Sequence, residues 1–233
     1  MIRLLDFEAP LFFTGAGLSS ECGIPTYRGE GGIWHEYDYQ DYACQRAFDR
    51  DPERVWDFHD LRRAKVAEAE PGEGHRRIVE VQRARPATTI VTQNIDGLHQ
   101  RAGAHDVVEL HGSLWRLRCA QTGALVENFE TPLVDRRCAE DCYWRPDIVW
   151  FEDPMNRAAL QAAERALRNC DVLIAIGTSG VVYPAAELPR IAVQRGIPCV
   201  EINPEETAVS AWYTHRLRGG ASEMLARLIG CDL

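Results

Sequence analysis

Five short apolar runs punctuate the chain, and each reads as a strand. Pro10–Thr14 (PLFFT) comes first, then 87–92 (ATTIVT), which is rich in β-branched residues. Residues 147–151 (DIVWF), 171–176 (DVLIAI) and 198–202 (PCVEI) follow. None of them alternates apolar with polar positions. Near-continuous apolar runs suit strands buried on both faces, the condition of a parallel sheet. A shorter segment, 107–110 (VVEL), is also strand-like. Helical spacing occupies 157–168 (RAALQAAERALR), 185–194 (AAELPRIAVQ, despite Pro189) and a closing stretch at 222–229. Strands alternating with helices predict an α/β fold, a Rossmann-like parallel sheet with helices on both faces.

Two segments break that rhythm. Residues 30–72 are aromatic and charged, with candidate helices around 43–48 and 52–70. Residues 114–146 contain three cysteines, few apolar runs and several turn residues. Both read as insertions. The expected division is a discontinuous sheet domain from 1–29, 73–113 and 147–233, with a small helical and cysteine-bearing domain from 30–72 and 114–146. The chain has no internal repeat and no low-complexity tract.

Composition narrows the class. The 233 residues are 45% hydrophobic and 26% charged, which excludes intrinsic disorder. The net charge is -9, so a general nucleic-acid or membrane-surface binder is not expected. Lysine-rich protein segments would suit it as partners, although a mild acidic excess also simply keeps a protein soluble. Lys65 is the only lysine among 26 basic residues, a bias best ascribed to coding composition. The start MIRLLDFEAPLFF has no long apolar core followed by a small-residue cleavage site. The eight scattered cysteines lack the density of a secreted disulfide framework. A cytoplasmic protein with reduced thiols is the expectation, and a monomer is the default.

Candidate chemistry begins at a turn. The first strand runs into Gly15-Ala16-Gly17-Leu18-Ser19-Ser20. Two close glycines at a strand-to-helix turn let backbone amides approach a pyrophosphate. The spacing is not the dehydrogenase fingerprint, which would need a third glycine where Ser20 stands. A tight turn without a ligand is the plain alternative.

The longer string GAGLSSECGIPTYRG resembles the sirtuin signature, and four further stretches do so in the same order. They are TQNIDGLH at 92–99, ELHGS at 109–113, GTS at 177–179 and INP at 202–204. The resemblance runs from about residue 10 to 228 and is nearest to bacterial NAD-dependent protein deacylases of the class III type. It implies removal of acyl groups from protein lysines. The acyl oxygen would attack the nicotinamide ribose of NAD, release nicotinamide and leave the acyl group on ADP-ribose. His111 matches the family's catalytic histidine, and a neutral imidazole can take a proton from a ribose hydroxyl. Asn94 and Asp96 match the residues that hold nicotinamide, with Ile95 between them, and Gln93 matches a ribose contact. Gly15, Ala16, Gly17, Tyr27 and Arg28 match the turn and loop that cover NAD; Tyr27 stands where the family usually has phenylalanine. Gly177, Thr178, Ser179, Asn203 and Ala221 match further cofactor contacts. Val182 and Pro184 on one side, and Phe151-Glu152-Asp153 on the other, match the groove that pairs with substrate backbone. Most relatives carry glycine where Glu152 stands.

The resemblance also bears on the acyl group and on metal. Class III relatives that take succinyl groups carry Tyr-x-x-Arg in the helical insertion. Here Arg62 is present, and His59 replaces the tyrosine. Arg62 could pair with a terminal carboxylate, and a protonated His59 would favour one. Deacetylase and desuccinylase activity together are therefore the expectation. The family's small domain often holds zinc in two CxxC pairs. This chain keeps Cys119, Cys138 and Cys142, while threonine stands at 122. Three ligands fall short of a closed site. Zinc is left open, beside a module held by packing of Trp115, Phe129, Tyr143 and Trp144. Two other functions use the same features: NAD-dependent mono-ADP-ribosyl transfer to protein, and a non-catalytic NAD or ADP-ribose sensor.

Overall fold

The computed structural model describes residues 2–27 and 31–230. In chain order its strands are β1 (Pro10–Thr14), β2 (Thr89–Thr92), β3 (Val107–Glu109), β4 (Gly112–Cys119), β5 (Leu125–Glu127), β6 (Arg137–Ala139), β7 (Cys142–Ile148), β8 (Val172–Ile176), β9 (Cys199–Ile202) and β10 (His215–Leu217). Its helices are α1 (Ala16–Ser20), α2 (Tyr39–Tyr42), α3 (Gln45–Arg50), α4 (Pro52–Glu68), α5 (Glu73–Ala84), α6 (Leu98–Arg101), α7 (Arg157–Asn169), α8 (Arg190–Gln194) and α9 (Ala221–Ile229).

Six strands form one sheet in the order β10-β9-β8-β1-β2-β3, every neighbouring pair parallel. The chain builds outward from β1 to β3, then returns to the other side of β1 with β8. That reversal is the switch point at which doubly wound sheets open a crevice beyond their carboxyl ends. The four central strands β9, β8, β1 and β2 are mostly apolar because both faces are covered. Phe12, Ile90 and Ile174 pack with Ile78 of α5 and Leu225 of α9. Leu11, Phe13 and Leu173 pack with Leu167 of α7 and Ala192 of α8. Each fully buried side chain of this size contributes about 1.5–3 kcal/mol.

The remaining strands form a small antiparallel sheet, β5-β4-β7-β6. Its core joins Leu114, Trp115 and Ile148 to Trp56 of α4. Proline in the first turn of α4 loses no helical hydrogen bond, and the Asp51 side chain caps it by accepting from the Arg54 amide. No described helix is long and apolar enough to cross a membrane.

Two elements differ from expectation. Residues 147–151 do not join the parallel sheet. β7 carries this stretch as far as Ile148, antiparallel to β4, and Ile148 and Trp150 are buried in the small unit instead. A continuous apolar run signals burial on both faces, without saying in which sheet. The helix expected at 185–194 is divided. Ala185–Glu187 forms a 3-10 turn and α8 begins only at Arg190, because Pro189 has no N–H for a continuous helical ladder.

Candidate functional site

Two loops touch beyond the carboxyl ends of β1 and β8. The Gly15 amide donates to the Ile176 carbonyl at 2.9 Å, and the Gly17 amide to the Gly177 carbonyl at 2.9 Å. The backbones are so close that a Cβ on Gly17 would lie 2.6 Å from the Gly177 Cα. Gly177 itself sits at φ +60, a region that glycine enters without strain. The glycines thus serve backbone-on-backbone packing across the switch point, and the strand ends stay open to a ligand.

A cavity of about 880 Å³ lies over this junction, bounded by the parallel sheet and the small unit. Gly15, Ala16, Gly17 and Tyr27 line it, as do Gln93, Asn94, Ile95 and His111. So do Gly177, Thr178, Ser179, Asn203 and Ala221. His59, Arg62, Glu152 and Val182 complete the sequence candidates on its wall. Arg28 lies outside the described residues.

Polar contacts hold the wall in place. Gln93 Nε2 donates to Thr178 Oγ1 at 2.9 Å, and Asn203 Nδ2 to the Thr178 carbonyl at 2.9 Å. Asn94 Nδ2 donates to the Gly15 carbonyl at 3.1 Å and to Ser19 Oγ at 3.0 Å. Asp96 is buried one layer behind. Its carboxyl accepts from Ser19 Oγ at 2.7 Å and from the Leu98 amide at 2.9 Å, and burial raises its pKa. Asp96 therefore bears on the cavity through Ser19 and Asn94. Sequence reading assigned no role to Ser19; its one signal is a polar residue on the buried side of the first turn after the glycines.

His111 stands half-buried on the wall. Its Nδ1 is 3.0 Å from the Gln93 carbonyl, an oxygen that can only accept. The neutral ring therefore carries its proton on Nδ1, which leaves the Nε2 lone pair free to act as a base. Burial lowers the His111 pKa from 6.5 and favours that neutral form.

The acyl end of the cavity corrects one expectation. His59 is buried, and its Nε2 accepts from Trp150 Nε1 at 3.2 Å. Burial, with Arg62 and Arg145 nearby, pushes its pKa down to about 3. A neutral ring tied to Trp150 cannot be the protonated partner of a carboxylate. Glu152 has φ 73, a left-handed backbone that favours glycine, and its side chain pairs with Arg46 at 2.7 Å. Val182 lines the same opening as Glu152.

The three cysteines sit apart from the cavity. Their sulfur atoms lie within 4.8 Å of one another, and Cys119 Sγ is 3.6 Å from Cys142 Sγ. Hydrogen bonds from Thr122 bring the Cys119 pKa down, which suits a thiolate. Three thiols so placed could hold zinc, one ligand short of a closed four-ligand site. Trp115 and Phe129 also stack, at 6.0 Å between ring centroids.

Comparison with known proteins matches this chain to one family. The description "Sir2 family" fits residues 15–184. The chain is 45% identical over 223 residues to the NAD-dependent protein deacylase 2 of Pyrobaculum aerophilum, covering 93% of this chain and 88% of that protein. A crystal structure of a Sir2 homologue in complex with NAD superposes with TM-score 0.90 at 38% identity, covering 98% of this chain and 90% of the other. A Sir2 structure with a deacetylated p53 peptide and 3′-O-acetyl ADP-ribose superposes with TM-score 0.87 at 30% identity, covering 97% and 95%.

Proposed function

The chain belongs to the Sir2 family, and from that premise we propose that it removes acyl groups from protein lysines with NAD as co-substrate. The observation that carries the proposal is His111. It faces the cavity above the β1–β8 crevice with its proton fixed on Nδ1 and Nε2 free. NAD supplies a ribose carbon that the acyl oxygen attacks as nicotinamide leaves; a ribose hydroxyl then adds to the acyl carbon, the lysine amine departs as its C–N bond breaks, and one water is consumed in leaving the acyl group on ADP-ribose.

The chain's own residues then have distinct tasks. His111 Nε2 takes a proton from a ribose hydroxyl, which turns that oxygen into a better nucleophile toward the acyl carbon. Asn94 offers an amide to the nicotinamide carboxamide, and Asp96 with Ser19 holds it in position. The amides of Ala16, Thr178 and Ser179 and the Ser179 hydroxyl receive the phosphates and ribose, since the Gly15, Gly17 and Gly177 amides are already bonded to the Ile176, Gly177 and Ile202 carbonyls. Peptide backbone lies between Glu152 and Val182 as an added strand. In the same reading the insertions 30–72 and 114–146 form the small domain that brings acyl-lysine to the sheet. A cytoplasmic monomer acting on protein, without nucleic acid or membrane, belongs to this reading too. The seven described free thiols and the net charge of -9 favour it.

NAD labelled in its adenylate tests the reaction class. The expected result is label in O-acyl-ADP-ribose, one molecule for each lysine freed. Label retained on protein would overturn deacylation in favour of ADP-ribosyl transfer.

A further inference from the structure

The carboxylate of Glu201 sits where the strand pattern calls for an apolar side chain. It lies on β9 between Val200 and Ile202 and is buried with them. A buried carboxylate costs free energy unless it is paired and hydrogen-bonded, and Glu201 is both. Arg218 Nη1 donates to its Oε2 at 2.7 Å, and Thr207 Oγ1 to its Oε1 at 2.7 Å. Ser210 Oγ lies 2.6 Å from Oε2 and 2.8 Å from Oε1, and gives its one hydroxyl hydrogen to the carboxylate. Arg218 Nη2 and the Thr207 amide donate in turn to Ser210 Oγ, at 3.2 Å and 2.8 Å.

These partners belong to two segments that wall the cavity. Residues 203–208 follow β9, and 219–221 follow β10. Thr207 lies in the first segment, and Arg218 directly precedes the second. Glu201 lies beneath this wall and is not part of it. Both segments stand on the β8–β10 side of the switch point, whereas Asn94 and His111 follow β2 and β3 on the other side. A dinucleotide laid across the crevice with its nicotinamide at Asn94 therefore puts its adenosine half on 203–208 and 219–221.

We propose that Glu201 is a positioning residue for NAD: through Arg218, Thr207 and Ser210 it holds both segments in the form that receives the adenosine half. It touches neither the substrate nor the reacting atoms. The proposal rests on the deacylase reading for the identity of the cofactor. Without the negative charge, Arg218 loses its ion-pair partner and the two segments are ordered in only a fraction of molecules. The apparent affinity for the adenosine half falls by that fraction.

The test titrates ADP-ribose, which carries the adenosine half without nicotinamide, into the full-length wild type, Glu201→Gln and Ser210→Ala by calorimetry. Turnover of an acetyl-lysine peptide is measured beside it. Glu201→Gln is expected to weaken ADP-ribose binding and raise the KM for NAD together by about tenfold, and Ser210→Ala by about threefold. The KM for peptide, kcat at saturating NAD and inhibition by nicotinamide are expected to stay within about twofold. A carboxylate that only stabilised the fold would move all of these or none. ADP-ribose affinity unchanged in both variants, or nicotinamide inhibition weakened as much as ADP-ribose binding, would overturn the proposal. If Glu201→Gln does not fold, Ser210→Ala decides by the same readings, because it keeps the ion pair and removes only a hydroxyl. Absence of NAD-dependent turnover in the wild type would overturn the deacylase reading, while the ADP-ribose titration would still judge Glu201. A wild type that binds no ADP-ribose would overturn both.

Discussion

Single residues carry the chemistry, and hydrogen-bond direction decides what each can do. A carbonyl can only accept, so the Gln93 carbonyl fixes the His111 tautomer. Burial lowers the His111 pKa below 6.5, and a base works only when unprotonated. Deacylation by the free enzyme should therefore gain activity with rising pH on a limb centred below 6.5. The dependence of kcat/KM on pH checks this; a limb centred at 7 or above would place His111 in a more polar setting than its contacts describe. His111, Asn94 and the glycines stood out in the sequence because they sit in contiguous motifs, and they line one cavity. The state of His59 was not legible there. Its neutrality comes from burial, with Arg62 and Arg145 nearby, and its Nε2 is occupied by the indole N–H of Trp150, 91 residues away. Tyr27 likewise looked like a mere variant of an aromatic shield until Arg62, 35 residues on, was found against its hydroxyl.

At the level of elements, the strands of the main sheet were the most legible feature. β1, β2, β8 and β9 are apolar at nearly every buried position, with Thr14, Thr92 and Glu201 the polar exceptions. α5 was missed, since EGHRRIVEVQRA hides its apolar stripe among five charged residues, and His75 and Gln82 are buried alongside Ile78 and Val81. β10 was missed as well. It is three residues long, pairs only with β9, and two of its residues are exposed. The contact between the loops after β1 and β8 is also invisible in sequence, because it forms across 160 residues. It makes a testable demand on Gly17. A methyl group there meets backbone, which cannot rotate away as a side chain would. Gly17→Ala should destabilise the fold by about 1–3 kcal/mol and raise the KM for NAD. Denaturant unfolding together with NAD titration checks both; a variant with wild-type stability would mean that the loops separate at little cost.

The whole molecule brings these parts to one opening. The chain doubles back between β1 and β8, and the cavity lies over that reversal, walled by Tyr27 from the segment after α1, by Arg62 of α4 and by Trp34, Phe58 and Phe151. The sequence made the class of the main sheet legible. It assigned 147–151 to the wrong sheet, because apolarity reports burial and not the identity of the neighbour. It named Cys119, Cys138 and Cys142 as one incomplete ligand set, and their sulfur atoms do lie within 4.8 Å of one another. The lone lysine gains a meaning at this scale: Lys65 lies exposed on α4, so the chain offers scarcely any acyl-lysine of its own. The most direct test of the central claim is nicotinamide release from NAD, measured with and without an acetyl-lysine peptide, in the wild type and in His111→Ala. Release should require the peptide and fall by about 10²–10⁴-fold on substitution. Release that proceeds without peptide, or that survives His111→Ala, would contradict it.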